Sequence, residues 1–127
     1  EGMEKILIDT SVFIGMARKQ PVAEEAMART RGAEVLFCDI VLAEILAGAK
    51  NQEEYRRTLA HITRAYRILD ITPQACVLFR EILATKGAND GVHVSDFMIA
   101  ATAMAHGCPL LTLNRKHFER IKGLVLV

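Results

Sequence analysis

Three acids in this chain sit where chemistry is plausible. Asp9 closes the apolar run "KILID" (5–9) and is followed directly by Thr10 and Ser11. Glu44 lies about one turn into the helical stretch "IVLAEILAGA" (40–49), with Val41, Leu42, Ile45 and Leu46 around it. Asp96 stands at the first turn of "SDFMIAATAMA". Taken singly, Asp9 reads equally well as a helix N-cap and Asp96 as an acid favoured at a helix N-terminus. Glu44 is harder to account for, because its neighbours put it on or beside a buried face, where a carboxylate is costly unless it is paired or metal-bound. No Lys or Arg stands at helical spacing from it. Acids gathered in one place repel and raise one another's pKa, and a divalent cation removes the repulsion. Oxygen-only donors favour Mg²⁺ or Mn²⁺ over zinc.

The elements that position these acids alternate along the chain. Short β-rich runs occur at 5–9, 35–38 ("VLFC"), 66–71 ("YRILDI"), 109–113 ("PLLTL") and 124–127 ("LVLV"). Such near-continuous apolar strands predict a parallel sheet buried on both faces. Helices are expected between them: 21–30, opened by Pro21; 40–49; 52–66, with Tyr55, Leu59, Ile62 and Tyr66 on one side; 73–87, stopped by Gly87; and the Asp96 helix, with Ser95 as N-cap and Gly107 as C′ residue. "KGANDGVH" (86–93) is the most loop-like stretch. The fold class is therefore α/β, a three-layer α/β/α sandwich with a central parallel sheet and right-handed crossovers. In such open sheets a site lies beyond the carboxyl ends of the strands. Asp9, Glu44 and Asp96 converge on that edge, with Thr112 and Asn114 beside them.

Composition bounds the alternatives. The 127 residues fit one domain, spanning 3–127; Glu1 and Gly2, ahead of Met3, read as residues left by cloning. Sixteen Lys and Arg against fifteen Asp and Glu give a net charge of +1, so no global basic field marks nucleic-acid binding, although a local patch can serve. Cys38, Cys76 and Cys108 are odd in number and widely spaced, which points to a reducing cytoplasm rather than a disulfide frame or a zinc site. There is no signal-peptide pattern, and no apolar run approaches a membrane span.

The stretches "ILIDTSVFIG", "DIVLAEILAG", "SDFMIAATAMAHG" and "LLTLNRKHFERI" resemble, in order and spacing, a PIN domain. They look most like the toxin subunit of a VapBC-type toxin–antitoxin pair. The resemblance runs from Ile6 to about Ile121. It implies a Mg²⁺- or Mn²⁺-dependent endoribonuclease whose acids activate a water against an RNA phosphodiester, here Asp9, Glu44 and Asp96 as catalytic and metal-binding residues. Ser11 and Thr112 are expected as supporting hydroxyls, with Asn114 at a possible fourth position. Members often carry a fourth acid after the fourth strand; the matching positions here are Asn114 and His117. Asp39 stands where similar sequences have Ser or Thr, and is read as a cap of the Glu44 helix or as a replacement for the missing charge. Arg115 and Lys116 are candidate RNA contacts. The resemblance further implies a homodimer and an antitoxin protein as partner, with apolar helix faces serving both. His61, His93, His106 and His117 are read as structural or surface residues.

Other readings meet specific obstacles. A receiver-type phosphoacceptor domain needs an acid pair before its central Asp and a Lys after a late strand, neither of which is present. A haloacid-dehalogenase-like phosphatase wants a second Asp two residues after Asp9, where Ser11 stands. A PIN-like module that binds RNA or protein with lost or weak catalysis is the remaining alternative, and metal-dependent turnover separates it from the enzyme.

Overall fold

The computed structural model describes residues 4–86 and 94–127. Gly87, His93, most of the loop expected at 86–93 and the first three residues lie outside that set. The described chain runs β1 (Lys5–Ile8), α1 (Thr10–Ala17), α2 (Pro21–Ala28), β2 (Glu34–Cys38), α3 (Asp39–Ala47), α4 (Gln52–Ala65), β3 (Arg67–Leu69), α5 (Pro73–Lys86), α6 (Val94–Ala105), β4 (Leu110–Leu111) and α7 (Arg115–Phe118). The strands form a parallel sheet in the order β3-β2-β1-β4, with helices on its flanks. This is the three-layer architecture predicted from alternating apolar runs and helical patterns.

The order follows from burial. β1 is central, with Leu7 opposite both Leu36 and Leu110, and all three side chains are fully buried. Strands covered on both faces can be apolar throughout, which is why these runs do not alternate. Val12, Val41, Ile62, Ile99 and Phe118 bring α1, α3, α4, α6 and α7 onto the same core. Helix α6 is buried from Ile99 to Ala103, and its small residues let it pack closely against α5. It ends at Gly107, whose φ of 67° is the left-handed conformation that glycine adopts without a Cβ penalty.

Three features differ from the sequence-based expectation. The run 124–127 does not form a full strand: Leu126 makes one parallel bridge to Leu110, and Val125 is 64% exposed. The four-residue helix α7 is too short for its periodicity to be visible in sequence. Helix α6 begins at Val94, so Ser95 lies inside its first turn rather than capping it.

Candidate active site

One cleft of about 670 Å³ opens at the carboxyl ends of β1 and β4. Asp9, Glu44 and Asp96 all line it, together with Thr10, Ser11, Asn114 and His117. The topology explains the meeting. Asp9 follows the last residue of β1, β4 runs beside it in the same direction, and α3 and α6 bring the other two acids to the same edge. Among the described residues lining the cleft, none is Lys or Arg.

Asp9 is the deepest of the acids, only 3% exposed. Its Oδ1 accepts the Ser11 hydroxyl at 2.5 Å and the Ser11 backbone N–H at 3.1 Å, the second of which also caps α1. Its Oδ2 accepts the Thr112 hydroxyl at 2.6 Å. Both hydroxyls are oriented by the chain after β4. Ser11 Oγ accepts the Leu113 N–H at 3.0 Å, and Thr112 Oγ1 accepts the Asn114 N–H at 2.9 Å. With a backbone donor occupying each oxygen, each hydroxyl proton is directed to the carboxylate. Burial nevertheless holds the Asp9 pKa above the ordinary carboxylate range; the two hydroxyls and the α1 backbone pull it down, and the charge of Asp96 adds a smaller push upward.

Glu44 corrects the expectation of a buried carboxylate. It is exposed, on the cleft side of α3, while Val41 and Leu42 on that helix are buried. Its Oε1 accepts the Thr10 hydroxyl and its Oε2 accepts the Ser95 hydroxyl at 2.8 Å. Glu44 thus ties the start of α1 to the start of α6. Asp96, with a side chain 14% exposed, lies 3.0 Å through Oδ2 from Nδ1 of His117.

Several residues were missed or placed differently by the sequence reading. Thr10 and Ser95 each adjoin a candidate acid in the chain, and that adjacency was the available signal. His117, placed near the site by its match to a fourth-acid position but given a structural role, lines the cleft and contacts Asp96. Asn114 lines the cleft at the N-terminus of α7, where its side chain makes no cap hydrogen bond. Arg115 and Lys116 are exposed but are not among the residues lining the cleft, and Arg115 Nη1 donates to the Val127 carbonyl at 2.8 Å. Asp39 is exposed in the first turn of α3, borders a separate apolar groove and adds no charge to the cleft. The N-cap of α3 is Cys38, not Asp39.

The donor set bears on a cation. The three acids offer only oxygen, no Lys or Arg among the described residues lines the cleft to offset them, and the deepest is held by hydroxyls. Among the described residues, no three Asp, Glu, His or Cys side chains are drawn together tightly enough to enclose a bare ion. An open, all-oxygen set suits a hard cation such as Mg²⁺ that keeps several of its waters.

Comparison with known proteins identifies the fold family. Residues 6–124 match the PIN domain model. The chain is 32% identical to the "Ribonuclease VapC1" of Rickettsia felis over 94% of its own length and 92% of that protein. It is 29% identical to the "tRNA(fMet)-specific endonuclease VapC" of Salmonella typhimurium, covering 96% of each. The structure of DNA-bound VapBC from Salmonella typhimurium superposes with a TM-score of 0.75 at 28% identity, over 98% of both chains. From end to end of its described core, this chain belongs to the PIN domain family and, within it, to the VapC proteins.

Proposed function

We propose that the chain is a Mg²⁺- or Mn²⁺-dependent endoribonuclease, acting as the toxin of a toxin–antitoxin pair. The observation that carries this reading is the convergence of Asp9, Glu44 and Asp96 on one open cleft with no Lys or Arg among its described lining residues, in a chain matched along its length by ribonucleases.

Asp9 and Asp96 are the residues that would hold the cation, with Glu44 completing the shell or orienting the attacking water. A divalent ion held there supplies charge neutralisation at the scissile phosphate and acidifies the water that attacks it. Ser11 and Thr112 keep both oxygens of Asp9 in place and supply hydrogen bonds that favour its charged form. Thr10 and Ser95 hold the two carboxylate oxygens of Glu44 in place. Lys116, exposed two residues after Asn114, supplies positive charge for a phosphate outside the cleft.

The relatives' pairing as VapBC supports an antitoxin protein as partner. The apolar groove between α3 and α4, lined by Leu42, Leu46, Tyr55 and Leu59, offers a face for a protein. A homodimer and a cytoplasmic site of action belong to the same reading. No helix among the described residues is long and apolar enough to cross a membrane.

The test is incubation of the purified chain, freed of any partner, with total tRNA and rRNA in Mg²⁺, in Mn²⁺ and in EDTA, beside Asp96→Asn. Discrete fragments that require metal and are absent with the variant are expected. A folded protein that binds RNA without cutting it in any condition would transfer the reading to the non-catalytic binding module.

A further inference from the structure

We propose that His117 is a positioning residue for Asp96: its Nδ1–H fixes the Asp96 carboxylate for cation binding, and the imidazole is not itself a ligand. This rests on the metal-dependent reading above and extends it to the imidazole that lines the cleft. His117 Nδ1 lies 3.0 Å from Asp96 Oδ2. A carboxylate only accepts, so the proton of that contact resides on Nδ1.

Both ends of the contact are anchored. Phe118, next to His117, is fully buried, and Ile121 is 4% exposed, so the short helix carrying the imidazole is pinned to the core. Backbone bonds from His117 N to the Asn114 carbonyl and from Glu119 N to the Arg115 carbonyl hold its turn. On the other side, Phe97 and Ile99 lock the first turns of α6. The imidazole donor holds one oxygen, Oδ2, of the Asp96 carboxylate. A carboxylate held at one oxygen has a better-defined position for a cation, as outer hydrogen-bond partners give ligating carboxylates. Ser11 and Thr112 perform the same task for Asp9 with hydroxyls. His117 differs in that a nitrogen donor in the cleft could be mistaken for a ligand.

Geometry separates the two roles. An asparagine at 117 places its amide N–H near the position of Nδ1, whereas a glutamine places it near Nε2. The experiment is a Mn²⁺ titration followed by electron paramagnetic resonance on the whole chain, with no RNA present, for wild type and for His117→Asn, His117→Gln and His117→Ala. Asn is expected to bind Mn²⁺ nearly as well as wild type, while Gln and Ala lose about 10- to 100-fold in affinity, the range usual for removal of a ligand's hydrogen-bond partner. Spin-echo modulation of wild-type-bound Mn²⁺ should show no directly bonded nitrogen. Directly bonded nitrogen, or a Gln variant that binds better than Asn, would overturn the proposal and make His117 a ligand. Equal affinity in all four proteins would overturn it by showing that the contact does not act on the cation. The spin-echo result stands on wild type alone, even if a variant fails to fold. Wild type that binds no Mn²⁺ would instead remove the metal-dependent reading itself, whereas Mn²⁺ binding unaffected by His117 removes this proposal alone.

Discussion

Thr112 Oγ1 lies 2.6 Å from Asp9 Oδ2, joining side chains 103 residues apart in the chain at the seam between β1 and β4. The hydroxyl oxygen also takes the Asn114 N–H, so one atom connects the acid, the end of β4 and the start of α7. Thr112→Val keeps the shape and removes both bonds. A hydrogen bond to a buried charged group contributes about 1.5–3 kcal/mol, and that is the expected loss of stability near neutral pH. Thr112→Ser should recover most of it. Urea unfolding of the three proteins checks this. A Val variant as stable as wild type would show that the bond does not support the charge of Asp9.

Burial of Asp9 sets a pH dependence of stability. Its pKa in the folded protein lies above the ordinary value of 3.8, so the native state holds this proton more tightly than the unfolded chain does. Stability contributed by Asp9 is therefore fully present below 3.8, falls as pH rises through the native value, and remains at the lower level above it. Unfolding in EDTA across this range should show the falling component in wild type and not in Asp9→Asn. A component of opposite sign, with wild type gaining on Asp9→Asn as pH rises, would mean that the hydroxyls outweigh burial.

Much of this site was legible before any coordinates. An acid at the end of an apolar run predicts a strand-end carboxylate, and Asp9, Glu44 and Asp96 do meet on one edge of the sheet. What sequence could not show was how they are satisfied. Thr10 reaches Glu44 across 34 residues and Ser95 across 51, and only the fold decides such pairings. The apolar neighbours of Glu44 place it on or beside a buried face, and only the fold shows which: Val41 and Leu42 are buried while Ala43, Glu44 and Ala47 are exposed. The closing run 124–127 has strand composition, yet Leu126 alone bridges to β4, which itself spans two residues.

Gly15 is fixed by close packing rather than by backbone angle. A Cβ there would stand 2.6 Å from the Cβ of Ala23, which cannot swing away, and 3.2 Å from Leu113 Cδ1. Gly15→Ala should push α2 from α1 and cost about 1–3 kcal/mol, the usual range for overpacking. Ala23→Gly in the same chain should restore part of the loss, because it removes the nearest obstructing atom. Thermal unfolding of the single and double variants tests the coupling. Independent, additive effects would place the strain elsewhere.

The thiols should separate by accessibility. Cys38 is fully buried, and burial pushes its pKa up to about 11; Cys108 is also buried and raised by the same cause. Cys76 is partly exposed. A thiol kept protonated and covered is a poor nucleophile. Titration of the native protein with a disulfide reagent should therefore label Cys76 first and the other two only on unfolding. Rapid native labelling of Cys38 would contradict its packing between β2 and α3.

Arg115 and Lys116 are adjacent in sequence, and the structure gives them different prospects as RNA contacts. The Arg115 guanidinium donates to the Val127 carbonyl, so its removal should loosen the closing segment. Lys116 is exposed, two residues after Asn114, which lines the cleft. A lysine that meets a phosphate releases counterions, and its loss should lower the slope of log affinity against log salt by about 1. Lys116→Ala is therefore expected to weaken RNA binding and reduce that slope without changing thermal stability. Arg115→Ala should lower thermal stability and change the slope less. RNA binding measured at several salt concentrations, with a melting curve for each variant, tests the division. A slope that falls with Arg115→Ala and not with Lys116→Ala would reverse it, and would mean that the guanidinium exchanges the Val127 carbonyl for phosphate when RNA arrives.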